Sequence, residues 1–251
     1  MTVSADVWQT RAALCELLAL GFRYPEGDDL TQAVASGEWI DAAREIAEAL
    51  GLDWVPSELL TDGVGDADAC GVGGLGSDGA AIEPPSASDL ADVSSLRTTL
   101  RAEATRLFVG APDPEVSPYE GVWRAADDGV QALLFVNPHS MAVERFMKEC
   151  GLGRPEGTNE PLDALWTELE FLQLVCMFES GMTEPPEGAR LAEGDSWAAV
   201  YERFLAEHVL TWAPRFAEKV RATARVSFYR ETADLLAAFM KAAAQRVVKH
   251  C

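Results

Sequence analysis

The chain has 251 residues, 48% of them hydrophobic, and a net charge of −21 from 41 acidic and 20 basic residues. This apolar content can build a sizeable core, whereas the acidic balance disfavours nucleic acids and anionic membrane surfaces as partners. The five cysteines form no CxxC pair and indicate no disulfide framework, which favours a reducing cytoplasm. No apolar run approaches membrane-spanning length, so we expect no stable membrane insertion.

Helical periodicity predicts three helices in the first half of the chain, at about 4–22, 38–50 and 88–108. A serine before the first suits an N-cap, and a glycine after the second suits a helix end. Residues at about 61–89 are rich in glycine and aspartate, which predicts a flexible surface insertion. Their glycines lack the preceding strand and the lysine of a phosphate-binding loop.

An aromatic, proline-rich segment follows the third helix. Residues 110–123 contain Gly110, three prolines and the rings of Tyr119 and Trp123. Proline stiffens such a segment, so we expect a rigid loop at the helix end. Two interpretations of the rings remain open. They pin the loop onto the core, or they border a hydrophobic groove for a peptide helix.

The second half is also predicted to be helical, apart from a short extended connector at 131–136. Asn137 suits the N-cap of a helix from Pro138 to about Cys150. Residues 161–180 are apolar on two faces, which indicates a central core helix.

Further helices are expected at about 196–210, 214–224 and 227–248, with a junction at Trp212–Pro214. The sequence thus predicts an all-α fold: a single helical bundle-like domain of roughly eight or more antiparallel helices. This domain spans residues 1–251, with the insertion as its irregular part.

The sequence favours neither a metal site nor a cofactor site. His139, His208 and His250 are far apart, and none pairs with another ligand at metal-binding spacing. There is no GxSxG motif, and His208 is expected to be a structural residue on a helix. Glu160 and Asp163 are the most plausible acid–base pair, although helix capping alone explains acids at a helix start.

Three segments, taken in order, resemble the TorD/DmsD family of redox-enzyme maturation chaperones. They are RLFVG at 106–110, PYEGVW at 118–123, and EPLD at 160–163 followed by ELEF at 168–171. The resemblance implies a peptide-binding site, to which Glu160 is added for its charge beside the motif aspartate. The implied residues are Leu107, Phe108, Gly110, Pro118, Tyr119, Trp123, Glu160 and Asp163. The family usually has a histidine after that aspartate, where this chain has Ala164.

The resemblance further implies an all-helical cytoplasmic chaperone that is not an enzyme. Its partners would be the catalytic subunit of a molybdopterin oxidoreductase, of the DMSO or TMAO reductase kind, and that subunit's twin-arginine signal peptide. It would act before export, while cofactor is inserted, as a monomer or a domain-swapped homodimer. Two alternatives remain: a NarJ-like assembly factor for a non-exported molybdoenzyme subunit, and, more remotely, a small helical enzyme using acids near Asp163.

Overall fold

The computed structural model describes residues 4–57, 87–129, 137–153, 161–191 and 196–250, with side chains except at 87–92 and 247–250. Nearly all of the predicted insertion, and the predicted connector at 131–136, therefore lie outside the described residues.

The described residues form ten α-helices, and two of these run into π-helical turns. They contain one isolated β-bridge, between Tyr119 and Ala164, and no strand. The predicted all-α fold is confirmed. In chain order the helices are α1 (Ala5–Phe22), α2 (Asp29–Ser36), α3 (Glu38–Leu50), α4 (Ala87–Ala104), α5 (Glu120–Asp127), α6 (Pro138–Glu149), α7 (Leu165–Ser180), α8 (Trp197–Phe204), α9 (Leu210–Thr223) and α10 (Ser227–His250).

The core forms where α1 packs along α7 and α9 packs along α10. Helix α7 buries both of its apolar faces, as predicted: Leu169 and Leu172 have no exposed surface, and Phe171 on another face is 5% exposed. Each such side chain contributes about 1.5–3 kcal/mol by leaving water. This rigid centre supports the segments that carry the motif.

Two π-helical turns shape the region around the motif. One (Thr105–Val109) ends α4, and the other (Leu205–Val209) joins α8 to α9. The predicted junction at Pro214 was wrong, because Pro214 lies inside α9. The proline removes one backbone hydrogen bond, and the helix tolerates this loss. π-helical turns often occur at functional sites.

Helix ends agree with the sequence where a cap fixes them. Gly51 ends α3 in the left-handed conformation, and the Asn137 side chain accepts a hydrogen bond from His139 N at the start of α6. Helix α7 begins at Leu165, four residues later than predicted, and Asp163 does not cap it. The predicted caps at 158–159 lie outside the described residues, and α2 was not predicted.

Candidate functional site

The proline-rich loop folds back over the first π-helical turn. Gly110 N donates to Thr105 O at 2.7 Å, and Val116 N donates to Leu107 O at 2.8 Å. A Cβ atom on Gly110 would lie 3.0 Å from the backbone of Asp113 and of Pro114, so any other residue would require the loop backbone to shift. The predicted stiffness of the loop therefore has a backbone basis in addition to its prolines.

The two halves of the motif are residues 106–123 and residues 160–171, and their described parts lie side by side. Glu120 N donates to Asp163 O at 2.9 Å, and Leu165 N donates to Pro118 O at 2.9 Å. These bonds flank the bridge between Tyr119 and Ala164. Ala164 has no exposed surface. The position where the family usually has histidine is thus internal in this chain.

A groove of about 900 Å³ opens beside the loop. One side is the chain that follows α1, another is the π-helical turn with the loop, and the rest comes from the starts of α5 and α7. The lining residues are Arg23, Tyr24, Glu26, Phe108, Val109, Gly110, Pro112, Asp113, Pro114, Ser117, Tyr119, Val122 and Trp166. This volume is within the range of pockets that bind ligands.

Aromatic side chains give the groove a rigid apolar surface. The ring of Phe108 stacks on that of Phe216 at 5.9 Å, and Tyr119 meets Trp166 edge-on at 6.4 Å. At the rim, Tyr24 is 38% exposed and Val109 is 60% exposed. Exposed apolar groups around a concave surface are typical of a binding site.

The groove also carries charge at its edge. Arg23 is the one cation among the described residues that line the groove. It pairs with Glu170 at 2.5 Å, which neutralises its charge. Glu26 and Asp113 are exposed, and neither carboxylate forms an ion pair with any described residue. The free charge at the rim is therefore negative and suits a cationic ligand.

Behind the groove lies a group of buried acids, Glu120, Asp163 and Glu168, which we call the carboxylate cluster. Asp163 Oδ2 accepts from Gly121 N at 3.0 Å and from Ser140 Oγ at 2.5 Å. Burial raises the pKa of Asp163 above its ordinary value, although these hydrogen bonds oppose the rise. Asp163 is 3% exposed, so in this structure it joins α5 to α6 and presents no surface to a ligand.

The other two acids are fully buried. Glu120 Oε2 lies 3.1 Å from His208 Nδ1, and Glu120 Oε1 accepts from Arg124 at 2.7 Å. Glu168 Oε2 accepts from Trp212 Nε1 at 3.1 Å. Burial, followed by the charge of Glu120, raises the pKa of Glu168 well above its ordinary value.

The raised pKa favours the protonated form of Glu168, in which the carboxyl donates a hydrogen bond to Glu120. This also gives Glu168 Oε1 a role, because no described donor reaches that oxygen. Glu120 thus links His208, Arg124 and Glu168 within the cluster. His208 is 4% exposed within this network, as expected of a structural residue.

The structure divides the sequence-predicted residues between groove and interior. Phe108, Gly110 and Tyr119 line the groove. The others lie beneath or behind it: Leu107 and Pro118 are buried, Asp163 is in the carboxylate cluster, and Trp123 is half-buried with Nε1 donating to Ser117 O at 2.8 Å. Glu160 lies outside the described residues.

Sequence reasoning missed the groove's second wall. Tyr24 and Glu26 flank a proline immediately after α1, a pattern that resembles the motif loop on a smaller scale. Val109 was missed although it lies inside the motif, because helical periodicity does not show that a π-helical turn exposes it.

Over the described part of the chain, no group of His, Cys, Asp and Glu side chains is arranged to hold a metal ion. No helix within these ranges is long and apolar enough to span a bilayer. Cys15, Cys150 and Cys176 are buried in the core. Burial raises the pKa of Cys15 to about 12 and also raises the pKa of Cys176, so these two thiols have little thiolate character.

Comparison with known proteins places these features in a family. The family model described as nitrate reductase delta subunit matches residues 86–218, more than half of the chain and the range that contains both motif halves. Curated relatives named "Chaperone protein TorD" are also similar. The relative from Vibrio parahaemolyticus is 28% identical over 154 residues, which are 61% of this chain and 66% of that protein.

Two further TorD proteins give similar alignments. The Photobacterium profundum protein is 26% identical over 56% of this chain and 60% of its own length, and a Vibrio cholerae protein is 26% identical over 64% and 66%. The chain thus spans slightly less than two thirds of the length of these relatives. The family model that matches it carries the description nitrate reductase delta subunit. Together with the helical fold and the joined motif halves, these matches show that the chain belongs to the TorD family.

Proposed function

We propose that this protein is a cytoplasmic chaperone, without catalytic activity, that binds the twin-arginine signal peptide of a molybdopterin oxidoreductase. It would hold the unexported catalytic subunit until its cofactor is inserted. One observation carries the proposal: the motif loop forms the wall of an apolar groove whose rim has two carboxylates without described ion-pair partners. The names of the curated relatives support the chaperone role.

The groove fits the two parts of such a peptide. A twin-arginine signal joins a basic region to an apolar stretch. The apolar stretch would pack on Phe108, Tyr119 and Trp166, which the fold holds rigid and which therefore bind at low entropic cost. The arginines would pair with Glu26 and Asp113, since a guanidinium binds a carboxylate through two parallel hydrogen bonds.

The motif residues outside the groove would act by supporting it. Leu107 and Pro118 fix the loop from below, and Asp163 holds the start of α5. Glu160 remains a predicted contact. An enzymatic role for acids near Asp163 has no geometric support, because the carboxylate cluster is buried away from the groove.

The test is calorimetric titration of the full chain with a synthetic twin-arginine signal peptide from a molybdoenzyme. In the variant Val109→Asp, a charge enters the apolar wall, and we expect at least about tenfold weaker binding. Val55→Asp is the matched control, because Val55 is 88% exposed and does not line the groove. Equal affinities in the two variants would place the peptide elsewhere.

The charge of the rim is tested separately. Glu26→Gln with Asp113→Asn should weaken binding and flatten its salt dependence. Glu45→Gln with Glu48→Gln, on the exposed face of α3, removes the same net charge and should leave affinity within about twofold. If both pairs act alike, only the overall charge of −21 attracts the peptide. If no such peptide binds, the signal-peptide proposal fails.

A further inference from the structure

A second concavity lies on the other side of α5 from the groove. It has a volume of about 510 Å³ and is formed by α5, α6, α8 and the π-helical turn after α8. We call it the arginine cleft, defined by Arg124, Arg145, Phe146, Glu149, Arg203 and Glu207. Helix α5 separates the two sites: Val122 lines the groove, and Arg124 lines the cleft.

Two of the three arginines are held in place by the fold. Arg124 is anchored by Glu120 at 2.7 Å and by Glu207 O at 3.2 Å. The Arg203 guanidinium lies over the ring of Phe146, 4.4 Å from its centroid, which fixes its orientation in the cleft. Arg203 also approaches the carboxylates of Glu149 and Glu207, at 3.8 and 3.5 Å, so both acids belong to the charge balance of the cleft.

Arg145 is different, because it is exposed and forms no ion pair with any described residue. It lies between the cleft and a shallower depression that contains Lys148 and Arg190. Arg190 donates hydrogen bonds to the backbone carbonyls of Glu149 and Lys148. Neither bond involves a carboxylate, so neither neutralises the charge of Arg190.

The continuous face therefore presents five cations and three carboxylates, and a fourth carboxylate, that of Glu120, lies buried against Arg124. The cations are Arg124, Arg145, Lys148, Arg190 and Arg203, and the carboxylates are those of Glu144, Glu149 and Glu207. This local positive excess stands out on a chain with a net charge of −21. A positive patch on an acidic protein selects partners with a local concentration of negative charge.

We propose that this face binds an acidic polypeptide segment of a partner protein. The cations follow α6 and continue onto neighbouring elements, so they suit an extended segment better than one small anion. Met141, 51% exposed in the depression, supplies an apolar contact between the charges, while Phe146 is buried and supports Arg203 from below. Nucleic acid is disfavoured because its dense charge would be repelled by the rest of the chain.

The test uses the full chain and a fluorescein-labelled peptide that alternates Glu and Leu, with fluorescence anisotropy as the readout. We expect saturable binding that weakens with salt. A control peptide with Gln in place of every Glu should bind at least about tenfold more weakly. Arg145→Glu should weaken binding about tenfold or more without changing stability, because Arg145 is exposed. Arg44→Glu is the matched control, since Arg44 is an exposed arginine on α3.

Four results would overturn the proposal. Equal binding of the Glu and Gln peptides would show that charge is not recognised, and an unchanged affinity of Arg145→Glu would place the peptide elsewhere. Displacement by inorganic phosphate at about the concentration of the peptide would indicate a small-anion site. Val109→Asp should have no effect. A loss in that variant would mean that the probe occupies the groove, so failure here stays distinct from failure of the signal-peptide proposal.

Discussion

The groove and the carboxylate cluster share the motif segment 118–123, yet they differ in exposure and bonding. At the groove, Glu26 and Asp113 are exposed and without a described ion-pair partner. In the cluster, Glu120 and Asp163 are almost fully buried, and each accepts at least two hydrogen bonds or charged contacts. The motif acids Glu120 and Asp163 therefore hold the loop, while Glu26 and Asp113, which lie outside the motif segments, face the ligand site.

This contrast teaches how the motif works. A charged residue in a family motif is easily interpreted as a ligand contact, because charged side chains often recognise ligands of opposite charge. Here the buried acids fix α5 against α6 and α7, and this arrangement positions the aromatic wall of the groove. Variants of the cluster should therefore change stability first, and variants of the groove should change binding alone.

The largest effect is expected for Glu120→Ala. This change leaves His208 and Arg124 without their shared carboxylate, and removes the acceptor facing Glu168. Removing one partner of a buried charged pair costs about 3–5 kcal/mol of unfolding free energy. Urea unfolding measures the loss, and Glu120→Gln should fall between the wild type and Glu120→Ala. A loss below about 1 kcal/mol would mean that Glu120 does not hold the cluster together.

A smaller loss is expected for Gly121→Ala. A Cβ atom at Gly121 would collide with Ser140 Oγ and lie 3.0 Å from the Asn137 amide, both beside Asp163. Overpacking of this kind costs about 1–3 kcal/mol. Gly27→Ala is the matched control, because a Cβ atom there has no neighbour within 4 Å, and its stability should be unchanged or slightly higher. Equal stabilities of the two variants would contradict the packing.

Glu168→Gln tests the proton on the cluster. The pKa of Glu168 in the folded protein lies well above its ordinary value of 4.5. Below that ordinary value, the folded and unfolded states are both protonated. As the pH rises above it, the unfolded chain loses the proton first, and the folded state loses stability until its own pKa is passed. The glutamine side chain of the variant cannot titrate, and it can still donate to Glu120 and accept from Trp212.

We therefore expect the stability of Glu168→Gln, relative to that of the wild type, to rise as the pH increases from about 4.5 into the neutral range. Thermal unfolding of both proteins across that range measures the difference. Asp163, whose pKa is also raised, is present in both proteins, so its contribution cancels. A difference that stays constant with pH would show that Glu168 is ionised in the folded state.

The sequence predicted helices well where one side chain or glycine determines the end. Gly51 and Asn137 correctly indicated the end of α3 and the start of α6 because caps act locally. The predicted helix start near Asp163 and the predicted junction at Pro214 were wrong because the roles of these residues depend on distant neighbours. Asp163 bonds to Ser140 on another helix, and Pro214 lies inside a helix that its type normally ends.

The candidate site was predicted in part for the same reason. The aromatic loop was found because its composition is local and unusual. The opposite wall at Tyr24 and the rim carboxylate of Glu26 come together with the loop only after α1 packs in the fold. The arginine cleft likewise unites Arg124, Arg145 and Arg203 from three helices, and no sequence spacing joins them.

The smallest effect is expected for Trp123→Phe, which separates the two interpretations of that ring. The change keeps an aromatic ring but removes the hydrogen bond from Nε1 to Ser117 O, and Trp123 does not line the groove. We expect a loss of about 1 kcal/mol or less in unfolding free energy and less than about a twofold change in signal-peptide affinity. Trp123→Ala, which also removes the ring packed against the core, should reduce both quantities further because the loop loses its support. An affinity loss in Trp123→Phe at unchanged stability would instead make the indole a direct contact with the peptide.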